Sequence, residues 1–369
     1  MTQSMFEIQL VAAITAAACV LPGVFLVLRR MAMMSDAISH TVLLGIVLAF
    51  FLIGDLESPL LVVGAAVTGV LTVTLVEMLH QTKLVKQDAA IGLVFPMLFS
   101  IAVILISRYA GNVHLDVDAV LLGELAFSPF DRWQLFGISL PKSLVVMGAV
   151  LLLNVGFIGA FYKELKIATF DPGLAAALGL SPLLVHYGLM TLVSVTAVGA
   201  FDAVGSILVV ALMIAPPAAA YLLTDNLPRM MVISIGLGVA SAIGGYWLAR
   251  TLDANIAGSI ATMNGFLFLV TFLFAPKRGI AANILRRQRQ KWTFALTALA
   301  IHLFNHENTA VESEECRIEH LTEHLRWPHD FADNIVKRAQ NEGLVVRRDA
   351  FLQLTAAGRM RAEEALTHI

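Results

Sequence analysis

Apolar residues run through the first three quarters of the chain in blocks of about 20, separated by short polar stretches, and the pattern changes abruptly near residue 277. The blocks lie at roughly 8–28, 31–52, 59–79, 89–107, 143–162, 183–201, 204–223, 230–249 and 256–275. Each is long enough, wound as a helix, to cross ~30 Å of hydrocarbon. The pattern predicts an all-α polytopic membrane protein of about nine transmembrane helices. Pro216 and Pro217 fall inside the seventh block. They predict a broken or re-entrant helix there, its freed backbone groups buried in protein or in a cavity. Glycines recur in the spans, among them Gly64, Gly69, Gly238 and Gly245, as suits close helix packing in lipid.

Beyond residue 277 the blocks shorten and charge appears. Helices are expected at 292–305, 314–325 and 328–342, then a two-stranded wing over 343–355 turning at 348–349, then a closing helix at 356–366. That order predicts a small α+β winged-helix domain over 279–369, behind a transmembrane domain over 1–278.

Composition agrees with the division. The chain is 58% hydrophobic and 14% charged, with a mean hydropathy of +0.80, whereas soluble domains average about 25% charged residues. Residues 277–369 hold 14 of the 25 Lys and Arg, 12 of the 27 Asp and Glu, and six of the ten His. A net charge of −2 argues against nucleic acid as the main partner, and the tail's modest positive excess does the same. The winged helix therefore reads as a protein-contact or regulatory module. Two distant cysteines, Cys19 and Cys316, exclude a disulfide framework and a thiolate cluster. The N-terminus lacks a basic segment ahead of its apolar run, so no cleavable signal peptide is expected.

Positive charge sets the orientation. One set of loops carries Arg29, Arg30, Lys83, Lys86, Lys163, Lys166, Arg229, Lys277 and Arg278; the other carries Arg108, Arg132, Lys142 and Arg250. The richer set belongs in the cytoplasm, which puts the N-terminus outside and the charged tail inside.

Ionisable groups within the spans are costly, and so informative. Asp36 and His40 stand four apart, on one helix face. A carboxylate and an imidazole so placed form half of a site for Mn, Zn or Fe(II), which two copies across a dimer axis would complete. They equally suit an internal hydrogen bond that fixes the ring. Ser35, Ser39 and Thr41 could serve either arrangement. Between the fifth and sixth spans, Asp171 is placed to cap a helix opened by Pro172, with Gly179 in the left-handed closing position and Pro182 beyond. This two-turn helix is a connector or a rigid knob that docks on a partner. Glu77, His80 and Asp88 read as solvated span ends, His186 as interfacial, and Asp202 as a cap in an outer turn. His114, Asp116, Asp118 and Glu124 read as a hydrated outer surface. The chain contains no Gly-Lys dipeptide, hence no P-loop, and no nucleophilic triad is evident.

Four separated stretches resemble the integral-membrane permeases of metal-ion ABC importers. They are Arg29-Arg-Met-Ala-Met-Met-Ser-Asp-Ala-Ile-Ser-His40, Gln87-Asp-Ala-Ala-Ile-Gly92, Phe170-Asp-Pro-Gly-Leu-Ala-Ala-Ala-Leu-Gly179, and the run from Val204 through Pro216 to Thr224. The resemblance covers roughly residues 5–278. It implies that Asp36 and His40 take part in passage of Mn2+, Zn2+ or Fe2+ as cargo, with no permanently bound cofactor. It also implies that Phe170, Asp171, Leu174, Leu178 and Gly179 belong to the coupling helix. The implied partners are separate ATPase subunits, a second permease chain (identical or homologous), an extracytoplasmic metal-binding protein and membrane lipid, in a bacterial inner membrane. Pro217 and the proline-free stretch before Gly258 depart from the family pattern. The tail stretch Leu354-Thr-Ala-Ala-Gly358 resembles metal-dependent repressors of the diphtheria-toxin-repressor type. There His320 and His324, flanked by Glu319 and Glu323, read as a solvated helix face, with a regulatory metal site as the alternative. A stand-alone ion-coupled carrier and a membrane-tethered metal sensor are the competing functions; the capped cytoplasmic knob favours a motor-driven permease.

Overall fold

The computed structural model describes residues 3–54, 58, 60–109, 125–135, 138–309, 312–318, 320–321, 325–348 and 351–367. The outer-surface group His114, Asp116, Asp118 and Glu124 lies outside these residues, as do Glu319, Glu323, His324 and Asp349. The chain divides into two compact units, Met1–Gly279 and Ile280–Ile369.

The first unit comprises α1 (Gln3–Leu28), α2 (Met33–Ile53), α3 (Leu60–Gln81), α4 (Gln87–Tyr109), the hairpin β1 (Arg132–Leu135) and β2 (Ile138–Pro141), α5 (Lys142–Ala160), α6 (Tyr162–Phe170), α7 (Pro172–Ala177), α8 (Pro182–Leu223), α9 (Leu227–Leu252) and α10 (Ile256–Phe274). Among the described residues, eight of these helices are long and apolar enough to cross a membrane. Long helices suit this setting because each satisfies its own backbone hydrogen bonds without water. The centre is built on α1 and α8: α1 packs on α5, α8 and α9, while α8 touches α1, α2, α3, α5, α9 and α10.

The length of α8 resolves the expected nine crossings. Its 42 residues would extend about 63 Å if straight, roughly twice the hydrocarbon thickness. It therefore carries both the sixth and the seventh expected crossing. The break between them is at Gly205 (φ 78°, ψ 162°), a conformation essentially restricted to glycine. The helix runs on through Pro216 and Pro217, so the break expected there is absent, whereas Gly205 stands beside the boundary expected between the sixth and seventh blocks. Prolines are tolerated in packed membrane helices where neighbours cover the freed carbonyls, and both are buried here.

Polar ties reinforce the helix contacts. The buried Asn154 amide donates to the Ala18 carbonyl (2.8 Å) and to Thr196 Oγ1 (3.0 Å), joining α5 to α1 and α8. Thr72 Oγ1 donates to Thr41 Oγ1 (2.8 Å) between α3 and α2. Near the same seam a Cβ on Gly45 would overlap the Gly64 carbonyl, so small residues set how closely these backbones approach.

The second unit runs α11 (Ile280–His306), α12 (Glu312–Glu315), α13 (His329–Asn341), β3 (Val345–Arg348), β4 (Phe351–Leu354) and α14 (Ala356–Thr367). The strands pair antiparallel, with Val345 opposite Leu354 and Arg348 opposite Phe351. Leu296, Leu299, Leu303, Ile335, Val336 and Leu352 lead its separate core. The first helix starts 12 residues before the expected 292. Its N-terminal half is polar and exposed, so it lacks the apolar stripe that marks the buried half, but it also lacks any proline or glycine to stop it.

Candidate metal-passage site

Asp36 lies in the first turn of α2 and His40 one turn on. The i, i+4 spacing brings them together: His40 Nε2 is 3.4 Å from Asp36 Oδ1. The side chains remain 28% and 36% exposed, respectively, so the pair opens onto a surface. Phe95 and Phe99 of α4 flank the imidazole, with ring centroids 5.2 and 5.9 Å away. The two aromatic rings and the carboxylate together restrict the ring's orientation. An imidazole and a carboxylate that meet at a partly open face can together take one borderline transition-metal ion. The neighbouring hydroxyls turn elsewhere. Ser39 Oγ donates to the Ser35 carbonyl, Ser35 Oγ to Ala32, and Thr41 Oγ1 to Ala37.

The capped segment is shorter than two full turns but closed as expected. Asp171 Oδ1 accepts from Leu174 N at 2.9 Å, with Pro172 in the first turn. At the other end Gly179 takes φ 80°. There Leu180 N donates to the Ala175 carbonyl and Gly179 N to Ala176, both at 3.0 Å, the paired bonds of a Schellman closure. Ser181 then caps α8, its Oγ accepting from Leu184 N. Phe170, Leu174 and Leu178 are each at least half exposed, an apolar tip on a rigid segment. The helix α6 before it was not expected from the sequence. It is held by Arg29, whose Nε donates to Thr169 Oγ1 (3.1 Å) while Nη1 reaches His186 Nδ1 (3.5 Å). Burial pulls the Arg29 pKa down to about 10. Arg29 and His186 thus tie the end of α1 to both helices beside the capped segment.

Other candidates fall elsewhere. Asp202 lies in the last helical turn before the Gly205 break, 80% exposed, with Lys142 Nζ at 4.0 Å; it is a loose ion-pair partner, not the expected cap. Glu7, not singled out from the sequence, accepts from Arg132 Nη1 at 2.9 Å and ties α1 to the β1–β2 hairpin. His320 Nδ1 lies 3.6 Å from Glu315 Oε2. Cys19 and Cys316 are both free and buried. Burial first, then Glu312, Glu307 and Glu315, push the Cys316 thiol up to about 11.

The sequence model of the ABC 3 transport family matches residues 1–275. The chain belongs to that family. It is 51% identical over 360 residues to the zinc transport system membrane protein TroD of Treponema pallidum (strain Nichols), covering 98% of each chain. It is also 51% identical over 269 residues to the manganese transport system membrane protein MntD of Bacillus subtilis (strain 168), covering 73% of this chain and 91% of that one. The match to TroD therefore spans both units. Among solved structures, PsaBC from Streptococcus pneumoniae in complex with Fab is similar, with a TM-score of 0.63 and 28% identity over 75% of this chain and 94% of that one. As a member of this family with eight membrane-length apolar helices among the described residues, the chain is a multi-pass membrane permease.

Proposed function

We propose that this chain is the membrane-spanning permease subunit of an ATP-driven importer of a divalent transition-metal ion: Mn2+, Zn2+ or Fe2+. The observation that carries the reading is the Asp36–His40 pair, joined at 3.4 Å on one partly open face of α2, in a family whose similar members are named for zinc and manganese transport. The ion is cargo, delivered by an extracytoplasmic binding protein and released to the cytoplasm by alternating access. A second permease chain supplies the matching half of the pathway. Asp36 and His40 hold the ion weakly enough to release it, since conduction needs binding that is favourable yet brief. Hydrolysis belongs to separate ATPase subunits that grip the tip formed by Phe170, Asp171, Leu174, Leu178 and Gly179. The N-terminus is outside and residues 280–369 are cytoplasmic. Their order of helix, short helix, helix, hairpin and helix supports a winged-helix domain used for protein contact or regulation.

The test is uptake of radiolabelled Mn2+ and Zn2+ into vesicles holding the permease, its ATPase and its binding protein. Asp36→Asn and His40→Ala should each abolish uptake while insertion and ATPase binding persist. Uptake at the wild-type rate in both variants would make the pair structural.

A further inference from the structure

The second unit carries a cluster of metal-ligating side chains apart from the membrane pathway. His302 and His306 stand four apart at the end of α11, hence on one face, with ring centroids 4.9 Å apart. Glu315, on the neighbouring α12, comes up against them. One donor atom from each of the three lies within 4.8 Å of the others. Two ligand atoms ~2.1 Å from one ion lie about 3–4 Å apart, so small side-chain rotations close the set.

Two further contacts organise it. His302 Nε2 is 3.2 Å from the main-chain carbonyl of Glu315, and a carbonyl only accepts, so that nitrogen carries the proton. The neutral ring then has its lone pair on Nδ1. A ring nitrogen tied to a carbonyl is the usual support of a metal-ligating histidine. His320 Nδ1 lies 3.6 Å from Glu315 Oε2, placing a third imidazole beside the carboxylate. His302 is 9% exposed and the Glu315 side chain 15%, so the group is sheltered but reachable.

We infer that His302, His306 and Glu315, with His320 beside the carboxylate, form a site for one divalent transition-metal ion in the C-terminal unit. Two imidazoles and a carboxylate select Mn, Fe, Co or Zn over Ca and Mg, which prefer all-oxygen sets. An ion held there clamps α11 to α12 across the turn at 307–309. If residues 280–369 face the cytoplasm, a point that rests on the proposed function, the site reads the internal level of the ion class that the membrane unit carries. It would alter transport to the extent that the metal-bound and metal-free domains favour different transporter states.

The binding test does not depend on transport. Full-length, tag-free protein carrying Asp36→Asn and His40→Ala, which remove the pathway pair, is titrated with Co2+ and followed by its visible d–d absorption. One Co2+ per chain is expected, displaced by Zn2+. His306→Gln and Glu315→Gln should each weaken binding at least about tenfold. Both variants keep His302 and its carbonyl contact, and an unchanged metal-free melting temperature shows that the fold is intact. Unchanged Co2+ affinity and stoichiometry in both would overturn the site. With Asp36 and His40 restored, His306→Gln or Glu315→Gln that keeps the wild-type response of uptake to internal metal, although Co2+ binding is lost, would instead overturn its regulatory role.

Discussion

The α-carbon of Gly23 in α1 faces the main-chain carbonyl of Met213 in α8, so closely that a Cβ there would overlap the oxygen. Four residues beyond Met213 stands Pro217, which has no N–H to return to that carbonyl. The central helix pair thus packs bare glycine backbone against the turn that the prolines weaken. Gly23→Ala should destabilise the detergent-solubilised chain by about 1–3 kcal/mol, the usual cost of overpacking. Gly236→Ala, whose added Cβ meets nothing, is the control. Equal melting temperatures for the two variants would contradict this packing.

The break in α8 predicts an asymmetry. At Gly205 any L-residue is strained by about 1–3 kcal/mol, so Gly205→Ala should lower the melting temperature and the folded yield. Pro216→Ala restores a helix donor and should be milder. The reverse ranking would return the break to the prolines.

The exposed tip predicts loss of coupling without loss of fold. Leu174→Asp combined with Leu178→Asp replaces two half-exposed side chains, so the permease should still insert while co-purified ATPase falls sharply. Asp171→Ala removes the cap, worth ~1 kcal/mol, and should weaken ATPase binding less. Full ATPase recovery with the double variant would exclude this contact.

In the second unit, hydrogen bonds from Arg359 hold the Glu307 carboxyl below its ordinary value of 4.5. A lowered folded pKa adds stability that is complete above the unfolded value and is lost as pH falls through the folded one. Glu307→Gln should therefore lower the melting temperature at neutral pH, and the difference from wild type should close below pH 4.5. A difference independent of pH would assign the effect to packing.

Much of this molecule follows from one-dimensional pattern. Apolar runs must become helices in lipid because the backbone has no other donor, so the spans were legible from composition alone. Local spacing also sufficed for Asp36 and His40, for the Asp171 cap and for the Gly179 closure, since each depends on residues within one or two turns. Tertiary structure alone decided three things. The helix α8 runs unbroken through Pro216 and Pro217, where packing against α1 supports it, and neighbours distant in sequence cannot be read from the local run. Helix α6 is short and only weakly apolar; its anchor Arg29 lies 140 residues away from Thr169. In the second unit, His302 and His306 are visible as an i, i+4 pair. Glu315 joins them only because the chain turns back after His306, and the folded core, not the spacing, sets that return.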